Sequence, residues 1–287
     1  MRKLRRFLVI PLLIALASTA ACGKEHQADV VRIGVNDLPL PHWDVYKRKA
    51  AEAGITIEFT NFSDYNQPNP ALSQGRIDLN KFQHVRYLAN YNASNHDNLV
   101  PLGATEIYAL TLYSKKHKSV AEIPQGGEIT LSNNPANQVR PLLLLAAAGL
   151  VTLKNGPTWD SKLEDVDKSA SKVRLTTIDP TLTAPSLESV DAAFVDDTFA
   201  IPAGLTQKDV IYTDDPNRPD LTQYINIFAA RAVDKDNPKL LQLTKLYHDP
   251  EVEAAIRAES GYDGIFKNND PAELQKTLTE LEAKFRK

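Results

Sequence analysis

Apolar and polar residues fall in short blocks whose period switches between two and about 3.6. Val30–Val35, Ile55–Thr60, Ile77–Leu79, Leu99–Gly103 and Tyr108–Tyr113 read as strands, as do Glu128–Ser132, Val173–Ile178, Ala192–Val195, Val210–Thr213 and Tyr224–Ala229. His42–Ala53 has helical character and stops at Gly54, a fitting C-terminal stop. Phe82–Tyr91 reads as a second helix and Leu142–Leu150 as a strongly apolar, buried one. From Asn237 onward the chain is helical, with Pro250 and Pro271 as helix starters. Strands alternating with helices predict an α/β architecture with mainly parallel sheets. Two polar, turn-rich stretches, Lys154–Lys172 and Thr213–Asp220, interrupt it. Neither is a clean linker, which suits a chain that passes between two lobes more than once.

The amino terminus departs from this pattern. A basic stretch, Arg2 to Arg6, precedes an apolar run from Phe7 to Ala17 and then the small residues Ser18 to Ala21. That is the layout of a secretory signal peptide over residues 1–21, too short in its apolar part to span a bilayer. Cys22, the single cysteine, follows directly, as in a bacterial lipobox, although Thr19 stands where leucine is usual. Lipidation of Cys22 would attach two acyl chains, enough for stable anchoring. Residues 22–29 then form the lipidated cysteine and a polar tether.

Charge and composition narrow the function. The 287 residues carry a formal charge of −3, and without the four basic residues of the signal segment the remainder carries −7. So acidic a chain has no electrostatic footprint for nucleic acid. One cysteine excludes an intrachain disulfide and a cysteine-pair zinc site. Met1 is the only methionine, which fits avoidance of oxidisable side chains or economy in sulfur. Phosphate-loop, dinucleotide and nucleophile-elbow motifs are absent, and the six histidines lack metal-ligand spacing. Adjacent carboxylates such as Asp196–Asp197 and Asp214–Asp215 would point to opposite faces of a strand, so adjacency alone makes no acid/base pair.

Four segments carry more information: SDYNQPNPALSQGRIDLNKFQHVRYL (63–88), SNNPANQVRPLLLLAAAGLVTLKNG (132–156), DAAFVDDTFAIPAGL (191–205) and YINIFAAR (224–231). In order and spacing they resemble the methionine-binding lipoproteins of ABC importers, the MetQ/NlpA family. The resemblance runs from about Val31 to the last helix. It implies a two-lobed periplasmic-binding-protein fold, type II-like, with two crossing strands at the hinge. Lobe one would hold residues 30–112 and 228–287, and lobe two residues 113–227. It also implies a monomeric, extracytoplasmic, lipid-anchored protein. Such a protein delivers methionine or a close derivative to the permease and ATPase of an importer, without cofactor, metal or reaction. Another small amino acid, a methionine-containing dipeptide, or an enzyme or adhesin on the same fold are the alternatives.

The resemblance assigns eight ligand-binding positions. Arg140, near the start of the apolar helix, clamps the ligand carboxylate, and Asn137 lies in the same turn. A guanidinium suits that task through its bidentate fork. On this assignment, replacing Arg140 should cost binding and leave the fold intact. Tyr65, Phe82, His84 and Tyr87 line the side-chain pocket, where a polarizable thioether gains from ring contacts. Asn226 and Asp196 serve the ammonium. Methionine binders of this family carry asparagine at the position of Asp196 and tyrosine at that of Phe199, so this end bears on which amino acid is taken. Asp197 and Thr198 read as capping residues of a short helix.

Overall fold

A computed structural model describes residues 30–259 and 264–286. The predicted signal segment, Cys22 and the tether lie outside the described residues. The first sheet has the order β2-β1-β3-β11-β4, with β1 at Val31–Val35, β2 at Ile57–Asn61, β3 at Leu79–His84, β4 at Val100–Ala104 and β11 at Asn226–Ala230. The second has the order β10-β6-β9-β7-β8, with β6 at Thr111–Tyr113, β7 at Gly127–Ser132, β8 at Val173–Ile178, β9 at Ala192–Phe194 and β10 at Val210–Thr213. A two-stranded ribbon joins β5 (Glu106–Ile107) to β12 (Ile265–Phe266). The molecule is therefore a two-domain α/β protein with mixed sheets.

Each sheet is covered on both faces, and strand alternation decides which residue serves which face. On β11, Ile227 and Ala229 join the core formed with α3 (Val85–Asn95) and α9 (Pro271–Phe285). Phe228 and Ala230 join the opposite core, with α1 (His42–Glu52), α7 (Pro238–Leu246) and α8 (Pro250–Arg257). In the second domain, Ala192 and Phe194 face α4 (Val139–Ala147), whereas Ala193 and Val195 face α5 (Thr183–Ser186) and α6 (Asp197–Ala200). Each fully buried large side chain contributes about 1.5–3 kcal/mol, so the four clusters outweigh any single polar contact.

Local signals account for most boundaries. Asn237, Asp249 and Asp270 each cap a carboxy-terminal helix by accepting a backbone N–H, and a proline follows each as the first helical residue. Gly54 adopts φ +75° just beyond α1, as a helix stop requires. Four expectations are corrected. Phe82 and His84 lie on β3, and the helix begins only at Val85, because Leu79–His84 is paired on both sides, to β1 and β11. Tyr108–Tyr113 is not one strand, since Tyr108–Leu110 carries the chain from one sheet to the other. The apolar helix starts at Val139 instead of Leu142, since Pro141 falls in its first turn, where an N–H would lack a helical partner anyway. The sheets are mixed, because β11 runs antiparallel to both neighbours and β6 antiparallel to β9 and β10.

Sheet membership also fixes the two crossings. They fall at Tyr108–Leu110 and at 214–225, so Thr111 and Leu112 sit in the second sheet and Asn226 and Ile227 in the first. Gly103 on β4 lets α7 approach closely: a Cβ there would lie 2.9 Å from Thr244 Cβ. Gly103→Ala is expected to lower stability by about 1–3 kcal/mol through overpacking. A denaturant midpoint equal to wild type would show that α7 shifts freely.

Candidate functional site

One cleft of about 300 Å³ lies between the domains. It sits at the carboxyl ends of the parallel strands, where Asn36, Asn61, Lys81–His84, Ser132 and Phe194–Asp196 emerge. Open α/β sheets present ligand sites at this end, because loops and helix starts converge there. All eight residues singled out in the sequence line it: Tyr65, Phe82, His84, Tyr87, Asn137, Arg140, Asp196 and Asn226.

A buried amide cluster holds the first wall. Asn69, on α2 (Pro68–Ser73), bonds Gln83 through both ends of its carboxamide, at 2.8 and 2.6 Å, and accepts from Asn80 at 2.9 Å. This pins the turn before α2 to β3 and sets the rings of Tyr65, Phe82 and Tyr87 around a common space. Their centroids are 6.0 Å (Tyr65–Phe82), 5.6 Å (Phe82–Tyr87) and 6.3 Å (Tyr65–Tyr87) apart. Phe199 packs behind Tyr65 at 5.2 Å and lines a smaller neighbouring cavity instead of the cleft.

His84 bridges the domains. Its Nδ1 accepts the Tyr87 N–H at 3.0 Å, capping α3, so the neutral ring carries its proton on Nε2. Nε2 then donates to Asn137 Oδ1 across the cleft at 3.0 Å. Burial, reinforced by the charges of Arg140 and Arg86, pulls the imidazole down to about 3. His84 is thus a neutral strut, and Asn137 keeps its amide donors for other partners.

Arg140 is more committed than the sequence suggests. Nε and Nη2 form a fork to Asp214 at 2.7 and 2.8 Å, and Nη2 also donates to Tyr108 O at 2.9 Å. Its guanidinium lies 5.0 Å from the Tyr224 ring centroid. The bidentate edge expected to clamp a ligand is therefore taken by Asp214, and only Nη1 is without a partner among the described residues. Asp196 precedes α6 but its side chain caps nothing. Burial raises its carboxyl above the ordinary value, against the pull of a Tyr65 hydrogen bond and the Arg140 charge. The Asn226 carboxamide lines the cleft beside His84, its neighbour across the β3–β11 ladder.

Sequence reasoning missed the groups behind these residues. Lys81, buried in the cleft wall, lies 2.9 Å from Glu106 and 3.7 Å from Asp37 and faces the rings of Tyr247 and Trp43. Its place beside Phe82 in the LNKFQH block was the available signal. Asp214 carried none, since its partner Arg140 is 74 residues away. Asp215 next to it serves only its own turn, accepting from Asn217. No group of three or more His, Cys, Asp or Glu side chains among the described residues is arranged to hold a metal ion.

Comparison with known proteins adds four findings. The model of the NlpA lipoprotein family matches residues 31–268. The methionine-binding lipoprotein MetQ of Bacillus subtilis is 34% identical over 275 residues, covering 92% of this chain and 97% of its own. Among solved structures, protein PG110 from Staphylococcus aureus superposes with a TM-score of 0.82 at 32% identity, covering 88% of this chain and 99% of its own. A nutrient binding protein from Burkholderia cenocepacia bound to methionine superposes with a TM-score of 0.76 at 32% identity, covering 83% and 99%.

Proposed function

Because the chain belongs to the NlpA lipoprotein family, of lipid-anchored extracytoplasmic substrate-binding proteins of ABC importers, we propose that its cleft takes methionine and hands it to the importer without chemical change. One observation supports this most: a ring-lined space and a polar end meet in a single cleft between two domains. In this reading the thioether lies among Tyr65, Phe82 and Tyr87, where each sulfur–ring contact contributes about 0.3–1.5 kcal/mol. The carboxylate takes hydrogen bonds from Arg140 Nη1 and the Asn137 amide. The ammonium lies between Asp196 and the Asn226 carbonyl. The domains close by pivoting on the crossings at Tyr108–Leu110 and 214–225.

The reading is tested by calorimetric titration of purified, ligand-stripped protein with L-methionine. Saturable one-to-one binding is expected, and no heat with L-methionine at micromolar protein would overturn it. A pH series extends the test. An ammonium beside Asp196 favours the ionised carboxyl, so ligand and proton compete. Affinity should hold at neutral pH and fall as pH drops through the Asp196 value, which burial places above the ordinary range. The decline approaches about tenfold per pH unit below that value. Asp196→Asn should flatten this acid limb. Superimposable profiles for the two proteins would separate Asp196 from the ligand.

A further inference from the structure

The positive charges that line the cleft are already met by protein carboxylates. Arg140 is paired through two bonds with Asp214, and Lys81 with Glu106 and more distantly with Asp37. His84 has no route to a charge without losing the cap it provides for α3. Asp196 stands otherwise. It lies in the cleft wall, and no ion pair to it forms among the described residues. The groups that bear on it are the Tyr65 hydroxyl and, at longer range, Arg140.

The donors left along the cleft wall are of one kind. They are Arg140 Nη1, whose charge Asp214 balances, the amides of Asn137 and Asn226, and Asn36 Nδ2, buried with no partner. Such donors serve a neutral carbonyl oxygen nearly as well as a carboxylate, since no uncompensated cation waits for an anion. The ammonium, by contrast, meets an uncompensated, half-buried carboxylate, where ion pairing is stronger than in open water.

We propose that this cleft selects its ligand by the α-ammonium and accepts a neutral acyl group in place of the carboxylate. Its ligand class is then α-amino acyl compounds of net charge zero or +1, amidated as well as free. This rests on the reading above that a thioether amino acid occupies the cleft.

Calorimetry at pH 6 with three probes tests it: L-methionine, L-methioninamide and 4-(methylthio)butanoate, which lacks the ammonium. The amide is expected to bind within about tenfold of methionine and the butanoate about a hundredfold or more weaker. Asp196→Asn, checked for folding by its melting transition, should weaken the amide by about tenfold or more and methionine by less. Methionine binding with the amide more than about tenfold weaker overturns the proposal and leaves the methionine reading standing. So does an unchanged amide affinity in folded Asp196→Asn. If none of the probes binds, the methionine reading fails and this one with it. Should Asp196→Asn not fold, the wild-type series alone decides.

Discussion

Arg140→Ala is expected to abolish ligand binding and also to destabilise the fold by about 3–5 kcal/mol. The second effect contradicts the expectation from sequence that the fold would be untouched. Asp214 is 5% exposed at its side chain and receives two bonds from the guanidinium. Removing the cation leaves that carboxylate buried and uncompensated, which costs far more than the net value of the pair. The double variant Arg140→Ala/Asp214→Asn should recover most of the stability, because no stranded charge remains. It should not recover binding, because the Nη1 donor is still missing. Urea denaturation and calorimetry on the three proteins separate the effects. A wild-type denaturation midpoint in Arg140→Ala would mean that the guanidinium is not paired as described.

A loss of similar size is expected from Lys81→Ala. Glu106 is fully buried and takes a 2.9 Å bond from Lys81 and a 3.0 Å bond from the Tyr108 hydroxyl, while its Oε2 has no partner. With so little spare solvation, the carboxylate depends on the ammonium, and truncation should cost about 3–5 kcal/mol. Lys81→Met/Glu106→Gln, which removes both charges and keeps the volumes, should be much closer to wild type. Lys81 has its pKa raised well above the ordinary lysine value, its carboxylate partners outweighing burial. A raised value contributes stability that is complete below the unfolded lysine value of about 10.4 and fades only as pH climbs through the folded one. The loss on truncation should therefore be constant across neutral pH. Thermal melts from pH 6 to 9 check this, and a difference that shrinks within that window would place the lysine outside its pair.

The sequence carried the cleft better than the forces that shape it. Short polar–aromatic blocks around Phe82–Tyr87, Asn137–Arg140, Asp196 and Asn226 all reach the same space, although they come from both domains. Their legibility has a physical source. Asn69, Asn80 and Gln83 hold one another by side-chain amides, so the block that contains them tolerates few alternatives. What stayed hidden were pairings between distant positions, such as Lys81 with Glu106 and Arg140 with Asp214. Nothing in local periodicity marks which carboxylate a cation will meet. The misreading of Phe82–Tyr91 as helix has the same origin, since two ladder partners far away in sequence make Leu79–His84 extended.

Asp214 does more than hold Arg140. Its Oδ1 accepts the Leu110 N–H at 2.8 Å, and its own N–H reaches Leu110 O at 3.3 Å, so the two crossings are stitched to each other. Two separate connections would allow the domains to twist and slide as well as to bend. Stitched connections leave one soft degree of freedom, a rotation about an axis through the seam. Arg140 bonds both crossings, through Asp214 and Tyr108 O, and so stands at the seam, whereas Tyr65 and Asp196 lie on opposite domains and would separate on opening. Arg140 and Asp196 belong to the same domain, so a ligand held as proposed would part from the rings of Tyr65, Phe82 and Tyr87 on opening while its acyl and ammonium partners stayed together. Its residence time would then follow a single rotational coordinate, the one that lifts one wall of the cleft off the other.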